Sequence, residues 1–193
     1  MPIPKIMVFA GSLRTGSHNT RLAALAAKEL ALTGADVTRI SLADFPLPIY
    51  DADLEANSGP PENAIRLKHL MMQHQGVFIA SPEYNASITP LLKNTIDWIS
   101  RARAAREAPL AAYRNRVFAL GAASNGSYGG ARSLMALRQV LELGCGALVI
   151  PDQVTVFKAG EAFDEMDNLT DERTATQLKA VAARLVDTAR ALA

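Results

Sequence analysis

Cysteine is almost missing. Cys145 is the only one, so no internal disulfide can form and a reducing compartment is expected. An excess of one charge is missing too. Twenty Lys and Arg face 19 Asp and Glu, which leaves +1 at pH 7. That supplies no basic field for nucleic acid and no acidic tail. No apolar run approaches the roughly 20 residues that cross a bilayer. The N-terminus shows neither a long apolar core before Gly11 nor a cleavage pattern, so no secretory signal is read there. These absences lead us to expect a soluble, cytoplasmic protein that binds neither nucleic acid nor membrane. Histidine is scarce: His18, His69 and His74 stand at unrelated spacings and read as surface residues, not as metal ligands. No nucleophile triad is visible, so no catalytic residue and no metal site is assigned. Repeats and low-complexity segments are absent. At 193 residues, 49% hydrophobic and 20% charged, the chain suits one globular domain over 1–193.

What the chain does contain is an alternation of two patterns. Ile6-Met7-Val8-Phe9-Ala10, Gly76-Val77-Phe78-Ile79-Ala80, Val117 to Ala122 and Ala147-Leu148-Val149-Ile150 are short apolar runs that read as buried strands. Ala35 to Leu42 alternates apolar and polar, as a half-exposed strand does. Between them lie helical stripes: Leu22, Leu25, Ala26 and Leu30; Glu62 to His74; Ile88, Leu92, Ile96 and Ile99; Leu134, Leu137, Leu141 and Leu143; Leu178, Val181, Leu185, Ala189 and Leu192. Ala43 to Pro61, with four prolines, reads as a long irregular loop of the functional or mobile kind. Five strands separated by helices predict right-handed β-α-β units. The α/β fold expected is a doubly wound, five-stranded parallel sheet with helices on both faces. In the flavodoxin-like order 2-1-3-4-5, strands one, three and four are neighbours. The polar loops that follow them, Gly11–Thr20, Ser81–Ser87 and Ser124–Gly130, would then meet at one crevice.

The first of these loops carries the strongest chemistry. Gly11-Ser12-Leu13-Arg14-Thr15-Gly16-Ser17-His18-Asn19-Thr20 joins a strand to a helix start. Its glycines permit a tight turn and one positive φ. Its hydroxyls and Arg14 are donors, and the helix start adds free N–H groups and a positive dipole end. Together they suit a dianion. Gly11 and Gly16 have the spacing of a nucleotide-phosphate loop, but Ser17 and His18 occupy the lysine and magnesium-hydroxyl positions. A dinucleotide fingerprint lacks its middle glycine. A terminal monophosphate fits better, and FMN is the common case. A solvated turn with an ordinary serine cap fits the same residues. Ser81-Pro82-Glu83-Tyr84-Asn85 offers an aromatic face and exposed amides to a flat ring, or is a plain proline turn. Ser124-Asn125-Gly126 has the same two readings. Cys145 reads as buried, and Asp97 and Trp98 as packing or subunit contacts.

Gly11-Ser12-Leu13-Arg14 with Ser17 and Asn19, and Ser81-Pro82-Glu83-Tyr84-Asn85 with Leu92-Lys93-Asn94 and Ile96-Asp97-Trp98, resemble the NADPH-dependent FMN reductase family. So do Leu47 to Asp51 with Asp53-Leu54-Glu55, and Gly129-Gly130 with Leu137 to Leu141. The resemblance runs from Ile6 to about Pro151. It implies that Ser12, Arg14, Ser17, Asn19 and Thr20 hold the FMN phosphate. Pro82, Glu83, Tyr84 and Asn85 would line the ring, with Ser124 and Gly126 on its other side. Ala86, Thr89 and Pro90 stand where Gly, Pro and Gly are expected, and Asn125 where proline is frequent. The family implies an enzyme that passes hydride from NADPH or NADH to FMN and on to a small acceptor such as a quinone, azo compound, chromate or free flavin. It also implies a homodimer or homotetramer. The competing reading is a non-enzymatic electron carrier of flavodoxin type. Such carriers are strongly acidic, and a net charge of +1 weighs against it. Arg101 and Arg103 are candidates for reading a 2′-phosphate.

Overall fold

The computed structural model describes residues 3–192. Five strands form one parallel sheet: β1 Lys5–Ala10, β2 Asp36–Arg39, β3 Gly76–Ala80, β4 Val117–Ala123 and β5 Leu148–Val156, in the order β2-β1-β3-β4-β5. Six helices connect and cover them: α1 His18–Leu32, α2 Ala52–Ser58, α3 Glu62–Met72, α4 Pro90–Arg101, α5 Ala131–Gln139 and α6 Glu172–Ala191. The expected sheet order and the helices on both faces are therefore found.

Strand alternation decides which helix meets which face. Ile6, Val8 and Ala10 of β1 join Phe78, Val117 and Ala119 in a core closed by Leu22 and Ala26 of α1 and Val181 and Leu185 of α6. Met7 and Phe9 face the other way. With Val77, Ile79, Phe118 and Leu120 they pack on Leu67 of α3, Leu92 and Ile96 of α4, and Leu134 and Leu137 of α5. The three central strands are buried end to end apart from Lys5, as their unbroken apolar runs require.

Five local expectations need correction. The 43–61 segment is not wholly irregular. It opens with a 3-10 turn at Leu42–Asp44 and contains α2, capped by the Asp51 carboxylate, which accepts from Asp53 N (2.8 Å) and Leu54 N (3.1 Å). α2 buries no residue, so it leaves no apolar stripe in the sequence. β2 ends at Arg39, short of Leu42. β5 runs through Pro151 to Val156, with its register against β4 shifting between Phe118 and Leu120. Proline donates no ladder bond, and an edge strand absorbs it at such an irregularity. Leu143 lies in a π-helical turn, Val140–Gly144, and is exposed. The wider turn rotates it off the α5 stripe. His74 is buried, with Nδ1 2.6 Å from the Leu70 carbonyl.

Cys145 and Trp98 are buried as expected. Trp98 donates to the Pro48 carbonyl (2.8 Å) and meets Tyr50 edge-on at 5.0 Å. Asn94 joins it by binding Tyr50 N (2.8 Å) and the Pro48 carbonyl (2.8 Å). The Leu47–Asp51 stretch is thus pinned to α4 inside this chain.

Candidate functional site

The loops after β1, β3 and β4 leave the same edge of the sheet because the three strands are parallel neighbours. Backbone bonds tie them at their roots: Gly11 N to Ala80 O (2.9 Å), and Ser81 N to Gly121 O (2.8 Å). Thr89 caps α4 by accepting from Leu92 N and donates its own hydroxyl to Gly11 O at 2.8 Å. It stands where proline was expected, and the β1 loop gains a tether.

In the first loop Gly16 has φ +68°, the left-handed conformation that glycine adopts without strain. Ser17 is the N-cap residue of α1, yet its hydroxyl makes no capping bond. Arg14 N donates to Ser12 Oγ (3.3 Å) and its carbonyl accepts from Ser17 N (3.1 Å). The Arg14 guanidinium is exposed and has no partner among the described residues. The backbone N–H groups of Thr15, Gly16, His18 and Asn19 likewise find no acceptor among the described residues. An unpaired guanidinium, an uncommitted serine and four open amides at a helix start form a donor set for an anion. His18 reinforces this. Burial, then Arg14 and Arg21, hold its pKa below the ordinary 6.5, and its Nδ1 is buried without a partner.

One of the expected residues has other work, and another faces a different cleft. Asn19 is buried, and its amide clasps the last residue of β4: Nδ2 donates to Ala123 O and Oδ1 accepts from Ala123 N, both at 2.9 Å. The clasp uses one of its two amide N–H groups and one lone pair of its oxygen, and its backbone N–H stays open at the helix start. Thr20 opens onto a cleft on the β2 side, of about 320 Å3, shared with Ser12, Arg39 and Ser41. Ser12 also lines a second cleft of about 240 Å3 with Gly11, Leu13, Arg14, Tyr84, Thr89 and Pro90. That second cleft brings residues of the loop after β1 and the tyrosine-bearing turn together.

The turn after β3 is a two-residue hairpin. Tyr84 N donates to Ser87 O (2.9 Å) and Ser87 N to Tyr84 O (3.0 Å). Asn85 and Ala86 both have positive φ, +50° and +65°. Asn85 tolerates this; alanine costs about 1–2 kcal/mol there. Tyr84 is 54% exposed, and Pro82 is buried at the strand end. The Glu83 carboxylate does not point at an open crevice; it is bonded to the start of α5. After β4, Ser124 Oγ accepts from Gly126 N (3.1 Å), and Asn125 Oδ1 accepts from Gly160 N (2.7 Å). Asn125 thereby links this loop to the segment beyond β5, a contact the sequence does not announce.

Arg101 and Arg103 lie far from these loops. α4 starts beside Gly11 and carries its chain about 17 Å toward the opposite sheet edge at 1.5 Å per residue. Arg101 there pairs with Glu55 at 2.8 Å, and Arg103 binds the Glu107 carbonyl. Burial tends to raise the Glu55 pKa, but its bonds to Arg101 and Tyr50 hold it below the usual carboxylate value.

Residues 4–161 match the family described as NADPH-dependent FMN reductase. The chain belongs to that family. As an NADPH-dependent FMN reductase family member it is an oxidoreductase, FMN is the flavin of its class, and NAD(P)H is the reductant. An NAD(P)H:quinone oxidoreductase from Solanum tuberosum is 34% identical over 93% of this chain and 90% of its own length. A quinone reductase from Escherichia coli K12 is 38% identical over 71% of this chain and 69% of its own length. Among solved structures, FerB, a flavoenzyme NAD(P)H:(acceptor) oxidoreductase from Paracoccus denitrificans, superposes with a TM-score of 0.80. It is 27% identical and covers 98% of each chain. These reductase relatives do not favour the electron-carrier reading. The donor set described above fits FMN: a dianionic tail for the open amides and Arg14, and a ring for the Tyr84 cleft. No helix among the described residues is long and apolar enough to cross a membrane. No cluster of His, Cys, Asp or Glu among them could hold a metal ion.

Proposed function

We propose that this chain reduces a small acceptor of quinone type with electrons from NAD(P)H, using FMN held across the Arg14–Tyr84 cleft. The observation that carries the reading is the unpartnered donor set leading into α1, whose Arg14 lines the same cleft as Tyr84. Ser12, Arg14 and Ser17 hold the phosphate with the amides of the α1 start. Thr20 stands at the rim of that loop. Asn19 serves through its backbone N–H and through its clasp on Ala123. Pro82, Tyr84 and Asn85 line one side of the ring, and Ser124 and Gly126 the other. Glu83 acts through the shape of the turn.

FMN, when bound, supplies the hydride-accepting chemistry. The chain binds, orients and keeps one ring face accessible. It needs no nucleophile for that work. The quinone relatives, and the neutral charge balance, support a small organic acceptor met in the cytoplasm. As the resemblance implies, copies of this chain would assemble into a homodimer or homotetramer.

An absorbance spectrum of the purified protein tests the reading first: flavin bands that bleach on mixing with NADPH or NADH are expected. In the apoprotein, Arg14→Ala should weaken FMN by about 1.5–3 kcal/mol, the worth of a charge-assisted bond, or about ten- to hundredfold. An apoprotein that ignores FMN, or an Arg14→Ala variant of unchanged affinity, would remove the phosphate site from this loop.

A further inference from the structure

Glu83 is the most committed side chain at the loop edge. Four hydrogen bonds converge on its carboxylate. Oε1 accepts from Arg132 Nε (2.7 Å) and Arg132 Nη2, and Oε2 from the backbone N–H groups of Arg132 (3.2 Å) and Ser133 (3.4 Å). The N-cap residue of α5 is Gly130, which has no side chain to offer. Its φ is +87°, and a Cβ there would fall 2.6 Å from Ala122 Cβ, so no capping side chain could replace it. Glu83 therefore caps α5 from another loop, where a carboxylate also meets the positive dipole end. The Glu83 side chain is only 8% exposed. On its other side the Arg132 guanidinium lies 4.7 Å from the Tyr128 ring centroid. One arginine thus bridges the turn after β3 and the loop after β4.

We infer that Glu83 and Arg132 are a positioning pair for the flavin ring and not ligands of it. The inference rests on the flavin reading of this crevice. The pair does two things. It locks Pro82 and Tyr84, the residues on either side of Glu83, to the helix that follows the opposite ring loop. It also cancels a carboxylate that would otherwise stand bare beside a ring that must accept electrons, an arrangement Coulomb repulsion opposes.

The test compares wild type with Arg132→Met, Arg132→Lys and the double variant Glu83→Gln/Arg132→Met. It reads FMN affinity of the apoprotein, the midpoint potential of bound FMN and thermal melting. Arg132→Met should weaken FMN about ten- to hundredfold, the usual effect of losing a partner that orients a ligating group. It should also move the oxidised-to-reduced balance about tenfold toward oxidised, about 30 mV for a two-electron couple. The double variant should recover the wild-type potential but not the affinity, because it restores neutrality without the bridge. Arg132→Lys keeps the charge and loses the fork, so it should keep the potential and lose affinity; it also stands in if the methionine variant fails to fold. A double variant with the same lowered potential as Arg132→Met overturns the inference. So does a shifted potential in Arg132→Lys, or wild-type affinity and potential in Arg132→Met. If wild-type apoprotein takes up no FMN, the flavin reading itself falls and takes the pair with it.

Discussion

Asn19→Ala separates a ligand from a clasp. The Asn19 amide satisfies both the N–H and the C=O of Ala123, at 2.9 Å each, and Asn19 and Ala123 are both buried. Alanine would leave two buried backbone groups without partners, each costing about 1–3 kcal/mol. The expected loss is therefore about 2–6 kcal/mol, a large part of the roughly 5–15 kcal/mol that holds such a chain folded. At about 2–4 °C per kcal/mol for a chain this size, the melting midpoint should drop by about 4–24 °C. Asn19→Asp should do comparable harm, since a carboxylate cannot donate to Ala123 O. The assay is paired: thermal melting of the apoprotein, then FMN titration of the same sample. Affinity should fall as well, because α1 loses its anchor to β4. The reasoning is refuted if Asn19→Ala melts with wild type while FMN affinity collapses, which would make the side chain a ligand.

Three further outcomes follow from the same geometry. Ala86→Gly relieves a left-handed alanine in the Tyr84–Ser87 turn. The relief is partly offset by a looser unfolded chain, so calorimetry should show a gain of about 0.5–1 kcal/mol; a loss would mean that the methyl group packs usefully. Glu107→Ala strands Lys68, which is 3% exposed and bonded to Glu107 at 2.6 Å, and should cost about 3–5 kcal/mol in a denaturant melt. Lys68→Met added to it should return part of that loss. Because the Lys68 bond holds the Glu107 pKa below its ordinary value, the wild-type stability from this pair is present above pH 4.5 and fades as pH falls through the lowered pKa. His18 should titrate below 6.5 by NMR in the apoprotein. The folded state then binds fewer protons than the unfolded one, so stability rises with pH between the lowered pKa and 6.5. A bound phosphate should raise the His18 pKa, and a value at or above 6.5 without ligand would contradict the burial argument.

The contrast between Arg14 and Asn19 shows how far residue types carry. Both looked like phosphate donors in one short loop. Nothing local distinguishes an arginine left open from an asparagine spent on a strand that arrives a hundred residues later. The same holds for Glu83, whose partners sit on a helix beyond the next strand, and for Asn125, held to Gly160. α2 leaves no sequence pattern because it buries nothing, and the run of β5 past Pro151 leaves none because strand pattern stops at a proline even where an edge position tolerates one.

The amino-acid sequence by itself determined the sheet, its order and the loops that crown it. Apolar periodicity and strand length are local quantities, and right-handed crossovers leave little choice once five strands alternate with helices. It also pointed to the loop where we propose an anion sits, because a glycine turn at a helix start exposes amides whatever surrounds it. Which polar side chains remain free for a ligand was decided only by the tertiary structure. Hydrogen-bonding capacity is finite, and whether Asn19 or Glu83 has any left depends on partners that folding alone brings within 3 Å or so.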